Sequence, residues 1–190
     1  MIVQFQTAGS TNNVLYAMHK YPMTRLKLSD VLDGLKKDKN GKFEYDDLMQ
    51  SEYLDAFVKE TLRLTPGLRA LHKMPLEDTS INGIEIGKNQ QININILLQS
   101  RHRDVFEDPD EFDPNRWMNG NGPSKYAFTP FGIGSKMCLG WRLAYVEMKL
   151  MAALFQSKVR MEIDEERLEK AKNPFNFWDI YGRFYPLERN

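Results

Sequence analysis

Apolar residues fall into a helical rhythm over several stretches of this chain, separated by proline, glycine and charged breaks. The spacing predicts a helix over 7–21, stopped at Pro22, and a second over 23–35 with Ser29 and Asp30 able to cap part of it. Residues 36–41 read as a charged, glycine-ended loop. A strong helix is predicted over 46–64, where Leu48, Tyr53, Leu54, Phe57, Val58, Leu62 and Leu64 favour one face, and Thr65-Pro66-Gly67 ends it. The pattern then changes period. Gln91-Ile92-Asn93-Ile94-Asn95-Ile96 alternates as a strand with one wet face. Residues 69–74 form a further candidate strand, and 79–86 is predicted to pair with 90–97 around Gly87-Lys88. Residues 100–138 are dominated by Asp, Pro, Asn and Gly and read as irregular up to a glycine-rich loop. The best helix follows over 139–156, and short strands over 159–163 and 178–185 close the tail. The expected class is mainly α with small β-sheets (α+β), without internal repeats.

Composition narrows the function classes. The 190 residues suffice for one domain with a core. Lys plus Arg number 26 and Asp plus Glu number 26, so nothing points to nucleic acid or an anionic membrane surface. No stretch approaches the apolar length that spans a bilayer. The opening MIVQFQTAGSTNN lacks the basic region and apolar core of a signal peptide, so no targeting signal is expected. One cysteine excludes a disulfide framework and a Cys-rich zinc site. Ten methionines and 12% aromatic residues suit an adaptable interior around a bulky planar group.

That cysteine carries the sharpest signal. Cys138 stands in Phe131-Gly132-Ile133-Gly134-Ser135-Lys136-Met137-Cys138-Leu139-Gly140, directly before a helix. A thiolate there is favoured by the positive helix end and its unpaired N–H groups. A lone cysteine is more often a packed structural residue. Held in this loop, it suits one axial position on heme iron. Gly134 and Gly140 would let the backbone turn sharply and approach a flat ligand. Phe131 would cover the apolar side, and Lys136 could reach a carboxylate at the ligand's edge.

The pattern F-x-x-G-x-x-x-C-x-G resembles the heme-binding loop of the cytochrome P450 family. The resemblance implies one partial domain over 1–190, the C-terminal half of a P450-like fold: part of the distal helix over 1–22, a brace helix over 46–64, the irregular segment and cysteine loop over 100–138, and the helix after the cysteine over 139–156. It implies heme b as cofactor, with Cys138 as axial thiolate and metal ligand, Phe131, Gly134, Lys136 and Gly140 around it, and Lys73 on a propionate, with His72 and Arg69 as rivals. Ala8 and Gly9 would line the distal face. Glu60-Thr61-Leu62-Arg63 alone reads as an exposed pair on one helical face, worth a few tenths of a kcal/mol. The resemblance implies that Glu60, Arg63 and Arg116 form a buried cluster bracing the cysteine loop. His102, Arg103 and Asp104 then belong to the scaffold. Residues 36–47 match an EF-hand poorly, because Lys36 would occupy the first ligand position, and a flexible polar connection is the better reading.

One departure concerns the distal helix. Family members carry an acid and an alcohol where this chain has Thr11 and Asn12, the two residues assigned here to catalysis. Neither is a useful acid near neutral pH. The resemblance implies a monooxygenase inserting one oxygen atom into a lipophilic substrate, with electrons from an NADPH-dependent reductase. Lys136, Arg142 and Lys149 are a candidate docking patch for that donor. The alternatives are a heme-thiolate peroxide isomerase of the prostacyclin-synthase type, steered by Asn12, and a truncated, non-catalytic piece that holds heme weakly. For the full-length form the resemblance implies the endoplasmic reticulum membrane, through an N-terminal anchor absent here.

Overall fold

The computed structural model describes residues 2–170 and 182–187. Helix α1 (Ile2–Lys20) leads into α2 (Pro22–Asp33), with Tyr21 between them. Pro22 has two effects. It cannot continue α1, and it occupies the first turn of α2, where its missing N–H costs nothing. Ser29 and Asp30 therefore lie inside α2 and not at its start.

The helix expected over 46–64 is two helices, α3 (Tyr45–Gln50) and α4 (Glu52–Leu64), broken at the extended Ser51. The cause is visible in the charges. Asp46 and Asp47 fall in the first turn of α3, and Glu52 and Asp55 in the first turn of α4. Each acidic pair favours a helix N-terminus. Ahead of α3, the polar connection forms a hydrogen-bonded turn. Asp38 Oδ1 accepts from the backbone N–H of Asn40 and of Lys42, both at 2.8 Å, and Lys37 bridges to Phe43.

Helix α4 is the centre of the molecule. Leu54, Phe57, Val58 and Leu62 are buried, against Val14 and Met18 of α1 and Leu28 and Leu32 of α2. The long helix α6 (Trp141–Lys158) completes this core with Met148, Ala152 and Ala153. The two alanines allow α1 to run close alongside α6.

Among the described residues, three two-stranded antiparallel sheets flank the helices. Strand β1 (Ala70–Lys73) pairs with β4 (Ile92–Asn95), with Leu71 opposite Ile94 and Lys73 opposite Ile92. β2 (Thr79–Ile81) and β3 (Ile84–Ile86) pair with each other. This corrects the pairing expected between 79–86 and 90–97. The first of those segments is already a hairpin, turning at Asn82 and Gly83 with φ of 50° and 79°. Two positive φ values in succession make the turn that suits strand twist, and Asn-Gly is the pair that adopts it. β4 is thereby left to β1. A short α5 (Ile96–Gln99) follows, and the segment beyond it contains 3-10 turns at Pro114–Trp117 and Gly134–Lys136. β5 (Val159–Ile163) pairs with β6 (Gly182–Pro186) beyond α7 (Glu165–Lys170). Residues 178–181 of the expected tail strand lie outside the described residues. Among the described residues, no helix is long and apolar enough to cross a membrane.

Candidate functional site

A cavity of about 340 Å³ opens where α1, α4, β1, β4 and the cysteine loop meet. Cys138 lines it, together with Phe131, Lys136 and Gly140 of its own loop. Leu62 comes from α4, Leu71 and Lys73 from β1, and Ile94 from β4. The β1–β4 register explains part of this convergence. Leu71 and Ile94 are direct partners, so both project from the same face of the ladder. Of the three basic candidates near β1, Lys73 lines the cavity, whereas Arg69 and His72 do not. The His72 ring instead contacts Gln91, with Nδ1 and Nε2 at 2.9 Å.

The cysteine loop is held by its own backbone. The N–H of Cys138 donates to the carbonyl of Phe131 at 2.9 Å, and that of Met137 to Gly134 at 3.1 Å. Gly132 and Gly134 both sit at φ 75°, where a side chain is strained. Gly140 has an ordinary φ of −88°, so the sharp turn belongs to Gly132 and Gly134 and not to Gly140. What Gly140 contributes is space: a Cβ there would meet nothing within 4 Å, on a residue that lines the cavity. The Phe131 ring packs toward the core against Tyr145, with centroids 5.3 Å apart. The Cys138 thiol is exposed.

Behind the cavity stands a buried polar cluster. Glu60 and Arg63 are both 0% exposed. Arg63 grips Glu60 with two bonds, Nε to Oε2 at 2.8 Å and Nη2 to Oε1 at 2.9 Å. Its remaining donors reach the carbonyls of Ser100, Pro109 and Glu111. Five N–H groups thus find five acceptors, which a planar guanidinium fork is built to do. Glu60 also accepts from Arg116 Nε at 3.0 Å, the Asp113 N–H at 2.9 Å and Trp117 Nε1 at 2.9 Å. Glu60, Arg63 and Arg116 are therefore brought together. Trp117 and the Asp113 backbone are further members that the sequence did not announce. The Trp117 ring lies 4.6 Å from that of Phe128, three residues before Phe131. This is the physical route from the cluster to the cysteine loop.

Helix α1 presents its residues differently from the expectation. Ala8, Gly9, Thr11 and Asn12 all lie in α1, yet none is among the residues lining the cavity, nor is Gly134. Thr7 and Ser10 line it instead. The three-cation docking patch also changes. Lys149 is 6% exposed, bonded to Asp55 at 2.7 Å and donating to the carbonyl of Met49 at 3.0 Å. It is an internal strut, which leaves Lys136 and Arg142 as the exposed pair. Burial tends to raise the Asp55 carboxyl, but bonds from Lys149 and Lys59 outweigh it and hold the carboxyl below its usual range. Burial, aided by the charge of Asp55, pushes the Tyr145 phenol well above its usual range.

Comparisons with known proteins agree with this geometry. The family model described as Cytochrome P450 matches residues 6–180. Cytochrome P450 3A18 of Rattus norvegicus is 35% identical over 146 residues, a match covering 76% of this chain and 29% of that protein. Cytochrome P450 4V2 of the same organism is 31% identical over 167 residues, covering 86% of this chain and 31% of that one. The chain thus spans about three tenths of the length of these relatives. A crystal structure of the cytochrome P450DA heme domain superposes with a TM-score of 0.78 at 25% identity, covering 97% of this chain and 42% of that one. The family match leaves little of the sequence outside it, and on that ground the chain belongs to the cytochrome P450 family.

Proposed function

We propose that this chain is the heme-holding part of a monooxygenase, with Cys138 as the axial thiolate of heme b. One observation carries the reading: the only cysteine of the sequence lines the same cavity as two lysines and a set of apolar side chains. That donor set fits the group. A thiolate suits iron, Leu71, Ile94 and Phe131 suit the faces of a porphyrin, and ammonium groups suit its propionates. The open space at Gly140, a cavity-lining position, fits too. When bound, the heme supplies oxygen activation, which leads to insertion of one oxygen atom into an organic substrate.

The protein's own groups then have separate tasks. The Phe131–Cys138 backbone bond fixes where the sulfur sits. Lys73 and Lys136 neutralise the acidic edge from two different elements. The Glu60–Arg63–Arg116 cluster keeps the loop's foundation rigid through Trp117 and Phe128. The apolar lining points to a lipophilic substrate. In the whole protein an NADPH-dependent reductase delivers electrons, with Lys136 and Arg142 in its docking surface, and an N-terminal anchor attaches that form to the endoplasmic reticulum membrane. The peroxide-isomerase alternative, which starts from the missing acid–alcohol pair at Thr11 and Asn12, is separated from this reading by peroxide turnover without a reductase.

The test is spectroscopic. The 190-residue chain, saturated with heme, reduced and treated with carbon monoxide, should show the red-shifted Soret band of thiolate ligation. Cys138→Ser should lose that band while the chain still folds. An unshifted band in the parent chain would reject the assignment.

A further inference from the structure

We infer that Gln99 is a positioning residue: its side-chain amide ties the entry of the cysteine loop to the strand that walls the cavity, and so fixes where the Cys138 sulfur stands. The inference rests on the heme-thiolate reading. Gln99 is the last residue of α5, directly behind β4, whose Ile94 lines the cavity. Its Nε2 donates to the carbonyl of Tyr126, and its Oε1 accepts from the Thr129 hydroxyl at 3.3 Å. One amide thus spends its donor and its acceptor on two residues three apart in sequence. Thr129 is buried and stands just before Pro130 and Phe131, which line the cavity. The Thr129 carbonyl accepts from the Gly132 N–H at 2.9 Å, and the Phe131 carbonyl from the Cys138 N–H at 2.9 Å. A run of hydrogen bonds and short backbone steps therefore leads from Gln99 to Cys138.

The other end of this clamp is anchored in the buried cluster. Ser100, next to Gln99, is 2% exposed. Its carbonyl accepts from Arg63 Nη1 at 2.9 Å, and its hydroxyl donates to the Arg63 carbonyl at 2.8 Å. At the start of α5, Asn95 accepts from the Leu98 N–H at 3.0 Å, and the Arg69 carbonyl accepts from the Ile96 N–H at 2.8 Å. The backbone that carries Gln99 is thus held on both sides and cannot follow the loop if the loop shifts. Trp117 and Phe128 give the cluster an apolar contact with the same segment. Apolar contact is non-directional and tolerates sliding, whereas a hydrogen bond fixes distance and angle. The amide of Gln99 therefore sets the register of the loop against β4, and the ring contact fills the space behind it.

The experiment uses the full 190-residue chain, first without heme. Amide hydrogen exchange by NMR reads the N–H groups of Gly132 and Cys138, with those of Val58 and Leu62 in α4 as the internal reference. Gln99→Leu removes both side-chain bonds and should speed exchange in the loop by about five- to ten-fold, the worth of roughly one net hydrogen bond, with α4 unchanged. Gln99→Glu keeps the acceptor for Thr129 but has no donor for Tyr126, and should fall between. An unchanged loop in Gln99→Leu overturns the inference. So does equal acceleration in the loop and α4, which would make Gln99 a contributor to global stability only. The same chains are then saturated with heme, reduced and treated with carbon monoxide. The thiolate-type Soret band should weaken in favour of the unshifted one in the order of the exchange rates. A loop that loosens while the band keeps its full intensity overturns the inference too, because something else would then place the sulfur. Each of these results, with a thiolate-type band in the parent chain, rejects Gln99 alone. A parent chain without that band rejects the heme-thiolate reading, and this inference with it.

Discussion

Trp117 donates its indole N–H to Glu60, 57 residues away in sequence, and so couples a 3-10 turn to a fully buried carboxylate. Among the described residues Glu60 receives five bonds, from Arg63, Arg116, Trp117 and the Asp113 backbone. Removing it would leave the Arg63 charge buried and unpaired. Glu60→Ala should therefore cost about 3–5 kcal/mol of stability, the range for breaking a buried ion pair. Trp117→Phe removes one bond to a charged acceptor and should cost about 1.5–3 kcal/mol. Arg116 is partly exposed, and its loss should cost least of the three. Urea unfolding of the three variants checks the order. Near-equal, small losses would show that the cluster does not brace the loop.

The loop's glycines should divide into two classes. Gly132→Ala and Gly134→Ala force a side chain to φ 75°. Each should lower stability by roughly 1–3 kcal/mol, the cost of a left-handed conformation at a residue other than glycine. Gly140→Ala meets no such strain and no neighbouring atom within 4 Å. It should leave thermal unfolding nearly unchanged while weakening heme binding, because the added methyl takes up open space at a cavity-lining position. Melting curves paired with heme titrations separate the classes.

What the sequence shows plainly is short-range. Glu60 and Arg63 are three residues apart on one helix, and the cysteine loop is ten consecutive residues, so both can be read without knowing the fold. Trp117 could not be read, because nothing local marks its partner in α4. The β2–β3 hairpin was legible in principle. Asn82-Gly83 is a stronger turn signal than Gly87-Lys88, but the alternation over 91–96 drew the pairing to the wrong segment. Lys149 also carried a usable sign. It lies four residues after Tyr145 and three before Ala152, on the inward face of α6, where a lysine must find an internal partner. The identity of the inward residues of α1 depends on the roll set by Asn13 and Thr65, a tertiary contact that no motif reports.

Asp55 makes acid stability a further test. Its carboxyl is held below the usual range in the folded protein by Lys149 and Lys59. The contribution is therefore fully present above the unfolded carboxylate value of about 4 and is lost as pH falls through the lower folded value. Lys149→Met removes the more deeply buried of the two cations and should raise the Asp55 carboxyl toward or past its ordinary value, since burial opposes its charge. The acid limb of the stability curve should then begin at higher pH than in the parent chain. Unfolding as a function of pH, with carboxyl titration by NMR, checks this. An acid limb that does not move would place the Asp55–Lys149 pair outside the balance of stability.

The two cavity lysines make the most discriminating prediction. Lys73 ends β1 and Lys136 ends a 3-10 turn, so they approach the cavity on independent supports, and both are exposed. Exposed ion pairs are weak, so Lys73→Ala and Lys136→Ala should each lower heme affinity by about five-fold at most. If each lysine meets a different carboxylate, their losses should multiply in the double variant, because the two do not share a support. Raising the salt concentration should shrink both effects. Heme dimethyl ester provides the control: it keeps the ring and iron but has no propionate charge, so the parent and the lysine variants should bind it alike. An equal loss with the ester would mean that the lysines shape the cavity without meeting the propionates. In that case the acidic edge of the cofactor would have to face another part of the wall.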